Sequence, residues 1–373
     1  MNIFTVTFLH NNYGSILQAF ALQSRLSEMG ATPNVLLKSP RKRYPRFIVR
    51  LGELWYMIKY IIMPDRDYSI NKRINLIIDD RKFKRKYEKL TYFINARLAT
   101  IEVHNEEEFC ANVKSQDIFL AGSDQIWNTV GRPLSAWYTF QWLSGKSNPK
   151  YSYAASIGHV DLTDSMRQDY KSALESFSTI SLRESQAVDI FSNIFPGKVR
   201  QDLDPTLLYE GNFWRKIESP KLIDDPYVFV YRLRPNDDVF EYARKIAKEK
   251  HCKILYTGLY SYNDDNIRTI YDAGIEDFLS YIDHAEAVVT NSFHGTVFSV
   301  LFEKPFLSIK VATTGSRAES MLHLLGLDSQ YIKDSDANYS LSIDYSRVKP
   351  LLEQERNKSL AYLKSICDST YDC

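Results

Sequence analysis

The feature that most restricts the fold of this chain is a recurring change of period. A short apolar run of strand length ends in small or polar residues, and a segment of helical spacing follows it. At the start, Phe4, Val6 and Phe8 alternate with Thr5 and Thr7; after a polar turn, SILQAFALQSRLSEMG carries its apolar positions at helical spacing as far as Gly30. DIFLAGSD from Asp117, KYSYAASIG from Lys150 and TISLRES from Thr179 read as further strands. A second series follows DLDPTLLYEGNFW and runs through YVFVYRL, a polar helix over 237–250, CKILYTG, a helix around 278–283, AVVTNS, a helix over 295–302 and PFLSI. Strands alternating with helices predict parallel sheets covered on both faces, and two series predict two doubly wound domains of the α/β class. A length of 373 residues agrees with two domains. The expected limits are 1–210 and 211–345, with a basic and then aromatic insertion at about 38–90 and a C-terminal helical segment, 346–373, packing back across the junction.

Several classes of function are disfavoured at once. A net charge of +1 supplies no bulk attraction to nucleic acid. Cys110, Cys252, Cys367 and Cys373 stand singly, without zinc or redox spacing, which suits a reducing compartment. The opening MNIFTVTFLHNNYGS has no basic n-region and its apolar run is broken by threonines, so neither a signal peptide nor a membrane span is expected, and the expected location is cytoplasmic. Asp202 and Asp204 alternate along an extended stretch and point to opposite faces, so no metal site is expected.

In open parallel sheets, ligands sit beyond the carboxyl ends of the strands, and the polar motifs fall at those ends. With NNYGSILQ, GSDQIWN, YAASIG, SLRES, DPTLL and SFHGT in this order, the chain resembles the polysaccharide pyruvyl transferase family over residues 1 to about 325. The resemblance implies two Rossmann-like halves facing across a cleft, similar to GT-B glycosyltransferases. It also implies transfer of the pyruvyl group of phosphoenolpyruvate onto two sugar hydroxyls to form a cyclic ketal, with phosphoenolpyruvate as donor substrate and no cofactor.

That chemistry needs cations and backbone donors for a small, highly charged anion, and a group that moves protons near neutrality. The joint from Asn291 to Thr296 offers unpaired helix amides, a glycine for close approach and two hydroxyls, so Ser292, Gly295 and Thr296 are expected at the donor, with His294 as general acid or as a phosphate-orienting donor. Several branches of the family carry an arginine two positions before this histidine; here it is Ser292, and a cation must come from elsewhere or the donor differs. Arg183, Arg317 and Lys310, each at or after a strand end, are the candidates. Asp124 is the candidate base for the acceptor hydroxyl, with helix capping as its alternative. Gln125 and the turn and helix start formed by His10, Asn11, Asn12, Tyr13, Gly14 and Gln18 are the expected acceptor side. Trp127 reads as packing, and His159 is a second choice for acid or base.

Residues 41–63 combine Arg41, Lys42, Arg43, Arg46 and Arg50 with Trp55, Tyr56, Met57, Ile61 and Ile62. That pattern suits peripheral contact with an anionic membrane at the inner face of the cytoplasmic membrane, and through it a lipid-diphosphate-linked acceptor; a helical insertion packed on the first domain is the alternative. Two other functions remain open on sequence alone: a GT-B-type glycosyltransferase using a nucleotide sugar, and a non-catalytic glycan-binding protein.

Overall fold

The computed structural model describes residues 1–9, 12–39, 70–143, 145–258, 262, 264–311, 316–333 and 338–369, with the backbone alone at 70–82 and 316. His10, Asn11 and the basic and aromatic stretch 41–63 lie outside the described residues.

Five parallel strands form the first sheet: β1 (Asn2–Val6), β2 (Thr32–Lys38), β3 (Thr100–Val103), β4 (Ile118–Ala121) and β5 (Lys150–Ser152), in the order β3-β2-β1-β4-β5. Parallel bridges Tyr151–Thr179 and Ala155–Leu182 lay β6 (Ile180–Leu182) beside β5, and β7 (Val199–Gln201) pairs with β6. The second sheet has six parallel strands: β8 (Tyr227–Arg232), β9 (Lys253–Gly258), β10 (Ile267–Thr269), β11 (Ala287–Thr290), β12 (Phe306–Ile309) and β13 (Tyr331–Ile332), in the order β10-β9-β8-β11-β12-β13. The central strands β4, β8 and β11 are buried along their whole length, which is why they read as continuous apolar runs. Strand order reverses between β1 and β4 in one sheet and between β8 and β11 in the other. Doubly wound sheets open their ligand crevices at those reversals.

The two lobes are held together at several places. The helix Tyr13–Glu28 drives its first residue into the second lobe: the Tyr13 ring stacks on Phe278 at 4.3 Å and its hydroxyl donates to the Ala273 carbonyl at 2.9 Å. One apolar core therefore continues from Ile16 and Leu17 to Tyr231, Phe278 and Phe298. The helix Ile70–Arg97 reaches the same lobe through Lys86 Nζ, 3.1 Å from the Gly258 carbonyl oxygen, and Lys89, 2.7 Å from Asp277. The last helix, Tyr345–Asp368, touches both lobes: the Tyr345 hydroxyl donates to the Lys304 carbonyl at 2.6 Å and the Tyr362 hydroxyl to the Ser152 carbonyl at 2.9 Å. Among the described residues, no helix is long and apolar enough to cross a membrane.

Candidate active site

β11 ends at Thr290, and the helix Phe293–Leu301 begins three residues later. Ser292 caps that helix by accepting the Gly295 amide at 3.3 Å. Asn291 turns the other way and braces the exit of β8, accepting from the Leu233 amide and donating to the Arg234 carbonyl, both at 2.8 Å. His294 thus stands in the first helical turn and meets the first lobe. There it packs on Gly14, the second residue of the helix Tyr13–Glu28: a Cβ on Gly14 would lie 2.7 Å from Cε1 and closer still to Cγ and Nδ1. Two helix N-termini, with their partial positive charge, converge on one imidazole.

Nε2 of His294 lies 3.5 Å from Oδ2 of Asp204, a carboxylate that is 1% exposed. That oxygen also accepts from Arg183 Nη1 at 2.5 Å and lies 3.2 Å from Ser123 Oγ, while Oδ1 accepts from the Thr206 amide at 3.0 Å and its hydroxyl at 2.6 Å. Burial would raise the pKa of Asp204, but His294 and Arg183 beside it outweigh burial and hold the carboxyl below its ordinary range. Asp204 precedes the 3-10 turn Pro205–Leu208, in the stretch where the polypeptide passes from one lobe to the other.

Arg183 and Arg317 flank this group from opposite lobes. Arg183 leaves β6; Arg317 opens the helix Ser316–Leu324, which docks on the first lobe through Ser320, whose Oγ accepts the Ser185 amide at 3.1 Å. Both guanidinium groups lie over the Phe293 ring, at 4.5 and 5.7 Å from its centroid, and both approach Asp124 Oδ1 to 3.9 Å. Buried Nε and Nη2 of Arg183 and Nε of Arg317 have no hydrogen-bond partner among the described residues. Burial, and then the neighbouring Arg183, push the Arg317 guanidinium down to about 10. Donors of this kind, fixed, cationic and partly unpaired, are what a dianion needs.

A model of polysaccharide pyruvyl transferases matches residues 12–312. The chain belongs to the polysaccharide pyruvyl transferase family. A search of curated proteins finds no match. Among solved structures, UDP-GlcNAc 2-epimerase of Methanocaldococcus jannaschii aligns over 96% of this chain and 93% of its own at 10% identity and a TM-score of 0.50. UDP-N-acetylglucosamine 2-epimerase of Rickettsia bellii aligns over 100% of both chains at 12% identity and a TM-score of 0.47. At such identity the likeness concerns the fold alone, the GT-B-like pairing of two doubly wound lobes.

The geometry of this pyruvyl transferase family member brings His294, Arg183, Arg317 and Asp124 together and treats the other candidates differently. Asp124 has a left-handed backbone, φ 73°, and its Oδ1 accepts the Gln125 amide at 2.8 Å, so a strained turn faces the two arginines. Asn12 caps its helix through the Gly14 amide at 2.9 Å, and Gln125 keeps a buried Nε2 without partner beside Gly158. Tyr13 is part of the core between the lobes and presents no surface to an acceptor. Gln18 is fully buried, its amide donating to Thr7 Oγ1 and the Ser15 carbonyl. Thr296 is likewise turned inward, its hydroxyl paired with Ser308 Oγ at 2.9 Å. Gly295 serves the packing of its helix on Thr290, where a Cβ would collide with the threonine side chain; the glycine that admits a close approach to His294 is Gly14. Lys310 is exposed, and no hydrogen bond or ion pair among the described residues joins its side chain to the arginine pair.

Asp202 and Asp204 take different partners: Asp202 is gripped by Arg200 at 2.7 and 2.8 Å and by Ser181 at 2.6 Å. Trp127 is a core residue, edge-on to Phe177. His159 donates from Nδ1 to the Ile157 carbonyl at 2.9 Å. Among the described residues, one trio of metal-type ligands, Glu218, Asp283 and His284, gathers elsewhere, and Arg215 already spans both oxygens of Asp283 at 2.8 and 2.9 Å. Three site residues escaped the reading of the sequence. They are Asp204, Phe293 beneath the arginines, and Glu184, whose buried carboxylate takes a hydrogen bond from Ser156 and keeps Oε2 unpaired.

Proposed function

We propose that this protein transfers the pyruvyl group of phosphoenolpyruvate onto two hydroxyls of a sugar, closing a cyclic ketal during the biosynthesis of a capsular or other surface polysaccharide. The observation that carries the reading is the approach of two guanidinium groups, one from each lobe, to Asp124 and to the ring of Phe293, the neighbour of His294 at a helix N-terminus, with buried N–H groups of both arginines unpaired. Arg183 and Arg317 hold the phosphate and carboxylate of the donor, and Arg317 supplies the cation that several branches of the family carry where this chain has Ser292.

The proton balance suits a single shuttle. Each acceptor hydroxyl loses a proton as its oxygen bonds to C2; one proton ends on C3, which becomes the methyl group, and the other leaves with phosphate as the C2–O bond to phosphate breaks. No net proton source is required, so His294 relays protons between acceptor and donor, a role worth about 100- to 10,000-fold in rate. Asp124, between the arginines, orients the acceptor hydroxyl. The acceptor is a lipid-diphosphate-linked sugar met at the cytoplasmic face of the membrane, a reading supported by the basic and aromatic sequence of residues 41–63.

Thermal protection decides between donors: phosphoenolpyruvate should raise the melting temperature and UDP should not. Protection by UDP alone would overturn the reading in favour of a nucleotide-sugar enzyme. Incubation with phosphoenolpyruvate and a panel of galactosides, mannosides and glucosides, read by product mass, then identifies the acceptor.

A further inference from the structure

We infer that Asp204 is a positioning residue that sets the tautomer of His294, keeping a proton on Nε2 and leaving Nδ1 to exchange protons with substrate; the catalytic half of this statement rests on the pyruvyl-transfer reading above. Nε2 is buried and has no hydrogen-bond partner within standard geometry among the described residues, and the acceptor that faces it is Asp204 Oδ2 at 3.5 Å. Catalytic contacts of this length tighten when substrate closes a site. Nδ1 lies instead beside Gly14, where the two lobes meet.

The carboxylate cannot rotate freely to serve another purpose. Two donors of Thr206, the amide at 3.0 Å and the hydroxyl at 2.6 Å, lock Oδ1, so Oδ2 is the oxygen presented to His294 and Arg183. Arg183 belongs to the first lobe and His294 to the second, and Asp204 sits in the chain segment that joins them. A single carboxylate therefore registers the proton carrier against the anion-binding cation. The logic is that of an acid which orients a histidine without itself taking the proton.

The test is Asp204→Asn, whose outcome follows from the donors around it. Thr206 directs two hydrogen bonds, from its amide and its hydroxyl, onto Oδ1, so the amide oxygen stays there and the NH2 group replaces Oδ2, which also breaks the ion pair with Arg183 Nη1. His294 then faces a donor at Nε2, accepts through that nitrogen, and carries its proton on Nδ1: the tautomer inverts. Long-range 15N–1H imidazole spectra of histidine-labelled protein, with His294 assigned by its loss in His294→Gln, should show the Nε2-protonated pattern in wild type and the Nδ1-protonated pattern in the variant.

In turnover, kcat should fall at least about 100-fold, a larger loss than any rise in KM for phosphoenolpyruvate that follows from loosening Arg183. A carboxylate with a merely structural role would raise KM and leave the spectrum alone. An unchanged His294 spectrum, or a wild-type kcat, overturns the inference. Should Asp204→Asn fail to fold, Thr206→Val releases one lock on Oδ1 without altering charge and should give a smaller fall in kcat with a mixed tautomer spectrum; wild-type values for both would count against the inference. If wild-type protein neither binds nor consumes phosphoenolpyruvate, the functional reading falls, and the spectra still decide the tautomer.

Discussion

Gly14→Ala separates helix stability from the position of the imidazole. Alanine in place of glycine near a helix start favours the helix by at most about 1 kcal/mol. Against this stands the overlap with His294: the new Cβ would sit 2.7 Å from Cε1, where ordinary contact begins at 3.4 Å, so that atom must retreat by at least 0.7 Å, and Cγ and Nδ1 by more. Helix Phe293–Leu301 is buried along its length and cannot follow, so the side chain itself must tilt, which changes its 3.5 Å approach to Asp204. Misplacement of a reacting group by about 1 Å costs on the order of 100-fold in rate, or roughly 2.7 kcal/mol of barrier. The expected result is a kcat lower by about that factor, with stability within about 2 kcal/mol of wild type. Steady-state kinetics and urea unfolding on the same preparation measure both. A variant that turns over within about threefold of wild type would mean the imidazole needs no fixed position, and the role given to His294 would be lost.

Arg317→Met should leave the free protein equally or more stable, since it removes a buried cation that is repelled by Arg183, yet it should abolish protection by phosphoenolpyruvate; a variant still protected by that ligand would exclude Arg317 from the donor site. Lys86 has a pKa pushed down by burial to about 7, so the folded state favours its neutral form. A lowered lysine pKa weakens the fold most at pH 7 and below and ceases to do so as pH rises past 10.5, so Lys86→Met should stabilise more at pH 7 than at pH 10, and equal gains in urea midpoint at the two values would contradict this. Asp204 shows the opposite sign. Its folded pKa lies below the unfolded one, so its stabilisation is present above about pH 4 and lost on acidification, and the wild-type urea midpoint should drop more between pH 5 and pH 2 than that of Asp204→Asn.

The frame of the molecule was legible because its signals are local. Runs such as AVVT and YVFV are buried on both faces and read as central parallel strands, and polar residues gather where such strands stop. Arg183, Arg317 and His294 could be picked as strand-end or helix-start residues on the same ground. What escaped depends on contacts between distant segments. Asp204 follows Asp202 in an extended stretch, and nothing local tells that one meets Arg200 while the other meets a histidine ninety residues away. Phe293 hides in an apolar run and becomes a platform only once two arginines arrive from different lobes. Tyr13 and Gly295 were misjudged for the converse reason: polar or flexible residue types at a strand end look open to ligand until a neighbouring lobe or strand covers them.

The wedge made by Tyr13 governs how far the molecule can gape. Withdrawing that ring from Phe278 and Tyr231 would return a tyrosine face to water and undo aromatic contacts, at about 3 kcal/mol in all, which leaves a widely splayed form below about one molecule in a hundred. Any ligand of the site between the lobes must therefore enter and leave with the two halves nearly fixed.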